Sequence, residues 1–91
     1  MNRPLIVGVM GGARADEASC QNAYQLGALI ARNGWVLLNG GRNAGIMAAS
    51  ARGAAEAGGW TIGILPDDHT AQASEFIRIP ICTGMGSARN T

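Results

Sequence analysis

Three short apolar runs, each stopped by glycine or proline, constrain this chain more than any other feature. Leu5-Ile6-Val7-Gly8-Val9-Met10 stops at Gly11-Gly12, Trp35-Val36-Leu37-Leu38 at Asn39-Gly40-Gly41, and Trp60-Thr61-Ile62-Gly63-Ile64-Leu65 at Pro66. Unbroken apolar runs of this length read as strands buried on both faces. The segments between them read as helices. Asp16 is a natural N-cap with Glu17 in the first turn; Ala18, Tyr24, Leu26, Leu29 and Ile30 then recur at helical spacing until Asn33-Gly34. A second helix is expected from about 44 to 57, dense in alanine and closed by Gly58-Gly59. Its Ala48, Ala51 and Ala55 are small enough to lie close on a sheet.

Strand, helix, strand, helix, strand implies right-handed crossovers and parallel pairing. The expected architecture is α/β: a Rossmann-like parallel sheet of order 3-2-1-4, the truncated half of a doubly wound fold, forming one partial domain over residues 1–91. A fourth strand is expected over 76–82, where Pro80 favours an edge position. Residues 67–75 read as loop, and 83–91 as a loop entering another helix. Two crossovers in one direction put both helices on the same face, so apolar strands are left bare on the other. That makes the sequence read as unfinished and predicts a homo-oligomer rather than an isolated monomer.

Composition narrows the function classes. At 47% hydrophobic the chain is not a disordered tail. All seven basic residues are arginine, spread along the sequence and balanced by six acids. No basic stripe for nucleic acid results. The apolar runs are far shorter than the ~20 residues of a membrane span, and the N-terminus lacks a signal-like apolar region, so the cytoplasm is the expected location. Cys20 and Cys82 form no Cys-x-x-Cys, and with His69 as the lone histidine no metal site is expected.

Glycine-rich corners follow strands one, two and four: Gly11-Gly12, Gly40-Gly41 with Gly45, and Gly84 with Gly86. In an open parallel sheet that edge is where ligands bind, and glycine lets backbone approach a phosphate or a planar group. Each pair could equally turn a tight corner and nothing more. The Gly-x-Gly-x-x-Gly spacing is absent, which disfavours a standard dinucleotide site. Arg42 and Arg89 lie beside these corners and could hold phosphate oxygens or be solvated. Trp35 and Trp60 open strands at the opposite edge, where packing is expected rather than base stacking.

Gly40-Gly41-Arg42-Asn43-Ala44-Gly45-Ile46-Met47, followed by Gly53-Ala54, Gly58-Gly59 and Ile62-Gly63-Ile64-Leu65-Pro66, resembles the glycine-rich motif of the Lonely Guy or "possible lysine decarboxylase" superfamily. Thr83-Gly84-Met85-Gly86-Ser87-Ala88-Arg89-Asn90 resembles most closely the bacterial branch related to molybdenum-cofactor carriers. The resemblance implies a Rossmann-like, oligomeric protein and a small phosphorylated ligand, either a nucleotide or the molybdenum cofactor. It implies that Gly40, Gly41, Gly45 and Met47 line the ligand cleft and that Arg89 falls where the enzymes place a functional arginine, the one candidate catalytic group. The glycine corners add Gly11, Gly12 and Gly84 as ligand-binding candidates, with Met85 as core or cleft lining. No cofactor lysine exists, since the chain has no Lys. The enzymes of the superfamily hydrolyse nucleoside 5′-monophosphates with a later Pro-Gly-Gly-x-Gly-Thr loop and a glutamate. This sequence does not contain them. The expectation is therefore a binding module without a complete active site. The alternatives are a phosphoribohydrolase whose catalytic loop lies outside this chain, and a truncated fragment that survives by association.

Overall fold

The computed structural model describes residues 5–11, 14–65 and 73–84. Its elements are β1 (Ile6–Gly8), α1 (Glu17–Arg32), β2 (Val36–Asn39), α2 (Gly45–Glu56), β3 (Trp60–Leu65) and β4 (Ile79–Cys82). Asp16 caps α1 as its sequence position requires, its carboxylate accepting from the Ser19 N–H at 2.8 Å. Gly34 leaves α1 at φ 74° and Gly58 leaves α2 at φ 81°, the left-handed conformation that ends helices.

All four strands run parallel, in the order β1-β2-β3-β4. The expected order 3-2-1-4 is therefore wrong in its last step: β4 joins β3, not β1. The cause lies in a buried threonine. Thr61, fully buried on β3, donates its hydroxyl to the Phe76 carbonyl at 2.6 Å and accepts from the Arg78 N–H at 2.8 Å. Ile77, also buried, packs on the bare backbone of Gly63. These contacts draw 76–78 across β3, and the chain then continues alongside it with Ile79 opposite Ile62. Pro80, opposite Gly63, sits on an edge strand as expected.

Both helices cover one face. α1 and α2 pack against each other and on β2, and α2 reaches β3. Val9, Ile30, Leu37, Ala51, Ala54 and Ile77 form the core between them and the sheet. The shortest dimension is 18 Å, the thickness of one sheet with one helix layer. The helices approach through glycine. A Cβ built at Gly27 would stand 2.0 Å from the Ser50 carbonyl oxygen, and one at Gly53 would stand 1.9 Å from that of Tyr24. The small residues of α2 thus serve the neighbouring helix as much as the sheet.

The other face of the sheet carries Ile6, Trp60, Ile64, Ile79 and Ile81, each between 40 and 60% exposed. Trp35 and Trp60 do lie at the amino-terminal edge, but they are half-exposed rather than packed, and Arg78 stacks 3.9 Å over the Trp60 ring. Among the described residues β1 is an edge strand, with Leu5 and Ile6 more than half exposed.

Candidate functional site

The glycine corner after β2 turns on one side chain. Asn39 occupies the same face of β2 as Leu37, a position that points into the core, and only 4% of it is exposed. Its Oδ1 accepts from the Gly41 N–H at 2.7 Å. Its Nδ2 donates to the Met47 carbonyl at 3.0 Å and to Ser50 Oγ at 3.1 Å. Ser50 Oγ in turn donates to the Ile46 carbonyl at 2.8 Å. The end of β2 is thereby tied to the first turns of α2. Sequence reading took Asn39 as a strand terminator only. The available signal was its parity with Leu37, because a polar residue on a core-facing position must find buried partners.

Gly41 is buried, has φ 79°, and lies directly on Gly63; a Cβ there would meet the Gly63 Cα at 3.0 Å. Its carbonyl accepts from the Ser74 N–H at 2.8 Å. With both backbone groups engaged, Gly41 shapes the corner and does not offer its N–H to a ligand. Arg42 pairs with Ala73 as an antiparallel bridge, so 73–74 lie across the corner as a strap.

The donors are found one step later. The N-cap of α2 is Ala44, no side chain caps this end, and its first turn holds no acid. The N–H groups of Gly45, Ile46 and Met47 lie where no intrahelical carbonyl reaches them. Such an end favours anions. Gly11 brings the β1 corner against it: a Cβ at Gly11 would meet Ile46 Cβ at 2.4 Å. Gly40 lies against Met47, whose sulfur would be 2.6 Å from an added Cβ.

Two clefts open beside this junction. One, about 260 Å³, lies on the helix side between Val9, Ser19, Asn22, Leu26 and Ile46; the other, about 230 Å³, lies on the bare face between Gly8, Leu38, Gly40 and Ile64. Met10, 90% exposed, borders both.

Of the residues singled out from sequence, Gly11, Gly40, Gly41, Gly45 and Met47 come together here. Gly84 does not. It follows β4, three strands from β1, about 14 Å across the sheet at ~4.8 Å per strand. It shares the carboxyl edge of the parallel sheet with Gly11 and Gly40, as expected, but the observed order sets β2 and β3 between it and Gly11. Gly12, Met85, Arg89 and His69 lie outside the described residues. Two of the described acids are engaged within the fold. Asp16 caps α1, and the Ser19 N–H holds its carboxyl below the ordinary range. Glu56 sits at the far end of α2, where Arg52 at 2.9 Å and the Tyr24 hydroxyl hold it low. Among the described residues, no three His, Cys, Asp or Glu side chains cluster as a metal site. No helix among them is long and apolar enough to cross a membrane.

Residues 4–91 match the SLOG cluster4 family. The chain belongs to this family. A solved structure of the molybdenum cofactor binding protein from the phototrophic bacterium Rippkaea orientalis is 53% identical, with a TM-score of 0.89, over 97% of this chain and 55% of that one. The molybdenum cofactor carrier protein of Chlamydomonas reinhardtii is 47% identical with a TM-score of 0.80, over 98% of this chain and 55% of its own. A cytokinin riboside 5′-monophosphate phosphoribohydrolase of Mycobacterium tuberculosis is 46% identical over 44 residues, 48% of this chain and 24% of that enzyme. This member of the SLOG cluster4 family thus spans about half the length of the relatives it matches throughout. The superfamily resemblance read from Gly40–Met47 and the α/β class agree with these relatives.

Proposed function

We propose that this chain binds a small phosphorylated ligand, a nucleotide or a phosphorylated pterin of the molybdenum-cofactor kind, at the carboxyl ends of β1 and β2. The observation that carries this reading is the uncapped amino terminus of α2, brought by Gly11 and Gly40 to the mouth of two clefts. Phosphate oxygens accept from the N–H groups of Gly45, Ile46 and Met47, while Met10, Met47 and Ile64 offer apolar and sulfur surface to a flat ring. The residues suit such a group: the first turn of α2 is free of acids, and the cleft on the exposed sheet face is lined mainly by glycine and apolar residues. The likeness to two molybdenum-cofactor proteins along the whole chain favours the pterin. The cofactor is then cargo, and the chain's part is to hold it. Binding without turnover is the proposed mode: Asp16 is engaged in capping α1, and Glu56 is paired with Arg52 at the far end of α2.

A second reading is hydrolysis of a nucleoside 5′-monophosphate, favoured by the 44 residues shared with the phosphoribohydrolase. The proposed working form is a homo-oligomer in which the bare sheet face is covered, and its proposed location is the cytoplasm. Titrating the chain with molybdenum cofactor and with 5′-AMP, while assaying ribose 5-phosphate, separates the readings. Saturable binding without ribose 5-phosphate supports the carrier reading. Release of ribose 5-phosphate supports the enzyme, and binding of neither compound sinks both.

A further inference from the structure

We infer that Asn39 is a positioning residue for the ligand corner, a latch that sets where the amino terminus of α2 stands relative to the end of β2. The inference rests on the phosphorylated-ligand reading above and assigns it a residue that acts through a side chain turned into the core. Three observations carry it. The Asn39 carboxamide is engaged at both ends: Oδ1 accepts from the Gly41 N–H, and both Nδ2 protons are used, on the Met47 carbonyl and Ser50 Oγ. Both Asn39 and Ser50 are buried, at 4% and 0% exposure, against the apolar cluster of Leu37, Ala51 and Ala54. And the network rescues no orphan in the helix. The carbonyls of Ile46 and Met47 already have the intrahelical N–H groups four residues on, so the bonds from Ser50 and Asn39 engage second lone pairs.

A buried polar cluster that only filled space would be replaced by leucine and alanine at little cost. What this one adds is geometry. One rigid planar group spans strand end, glycine turn and helix start. It turns the Gly41 N–H inward and fixes where the N–H groups of Gly45, Ile46 and Met47 stand relative to Gly40 and Gly11. Outward or rotated by an ångström, the same donors would no longer meet one phosphate together.

The test uses the whole chain with Asn39→Leu, Ser50→Ala and, as a stability control in the core near the end of α1, Ile30→Val. Amide exchange is read without ligand, and affinity is read for 5′-AMP and for molybdenum cofactor. In Asn39→Leu the Gly41 amide is expected to lose protection while the amides of α1 keep theirs, and affinity is expected to fall about 10-fold or more. Ser50→Ala is expected to fold, keep the Gly41 protection and lose a few-fold in affinity. Ile30→Val is expected to lower the melting temperature and leave affinity unchanged. If Asn39→Leu and Ser50→Ala bind as the parent does, or if Ile30→Val weakens binding as much as they do, Asn39 has no positioning role. If Asn39→Leu fails to fold, Ser50→Ala against Ile30→Val decides. A parent chain that binds neither compound sinks the ligand reading, while Gly41 exchange still decides whether Asn39 holds the corner.

Discussion

Gly53→Ala sets helix propensity against packing and lets the structure decide the sign. Alanine is better than glycine in a helix interior by ~1 kcal/mol, so a solvent-facing Gly53 would gain stability from the change. Here the new Cβ would stand 1.9 Å from the Tyr24 carbonyl oxygen, 2.8 Å from its carbon and 3.1 Å from the Ala28 nitrogen. All three are backbone atoms of α1 and cannot rotate away. An ordinary carbon–oxygen approach is ~3.3 Å, so the helices must part by roughly 1.4 Å at the crossing. Parting them also opens the reciprocal contact of Gly27 on Ser50 and loosens Ala23, Ala28 and Ala54. Overpacking costs ~1–3 kcal/mol, and rigid neighbours put this case at the upper end. Net of propensity, the loss is about 2 kcal/mol, or ~8–16 °C in Tm for a domain of this size. Urea and thermal unfolding at matched concentration measure it. Asn22→Ala, exposed on α1, serves as the propensity control and is expected to gain a few tenths of a kcal/mol. If Gly53→Ala matches or exceeds the parent in stability, the close crossing of α1 and α2 is not as described.

Three further outcomes follow from other parts of the molecule. Thr61→Val keeps the shape of a fully buried side chain but strands the Phe76 carbonyl; it is expected to cost ~1–3 kcal/mol and to release β4 from β3, seen as faster amide exchange at 79–82. Asp16 and Glu56 are held below their unfolded values, by the Ser19 N–H and by Arg52. Their stabilisation is therefore present above the ordinary carboxylate range, ~pH 4, and is lost as pH falls through the folded values; Asp16→Asn should flatten that part of the unfolding profile. On the bare face, Ile64→Glu is expected to shift the mass by light scattering toward one 9.3 kDa chain. A parent already at that mass, unfolding independently of concentration, would contradict the proposed oligomer.

The elements were legible because each boundary has a local cause. Asp16 and Gly34 bound α1, Gly58 ends α2, and the apolar run 60–65 is β3 to the residue. The placement of β4 was not legible, because it depends on a hydroxyl meeting a carbonyl fifteen residues away, Thr61 to Phe76, and no periodicity encodes that. The corner was half legible. Glycine after a strand pointed to Gly11, Gly40 and Gly45, but the consumption of the Gly41 N–H by Asn39 needed coordinates. Gly84 was read as a third corner of the same edge, and its separation from Gly11 by β2 and β3 was not legible without the strand order.

Amide chemical shifts of the ¹⁵N-labelled chain, followed through titration with 5′-AMP and with molybdenum cofactor, test the account most directly. Saturable shifts centred on Gly11, Gly45, Ile46 and Met47, with Gly84 and the Trp35 and Trp60 indoles unmoved, are the predicted result. Shifts confined to the Trp35 and Trp60 edge, or none with either compound, would contradict a phosphorylated-ligand site at the start of α2.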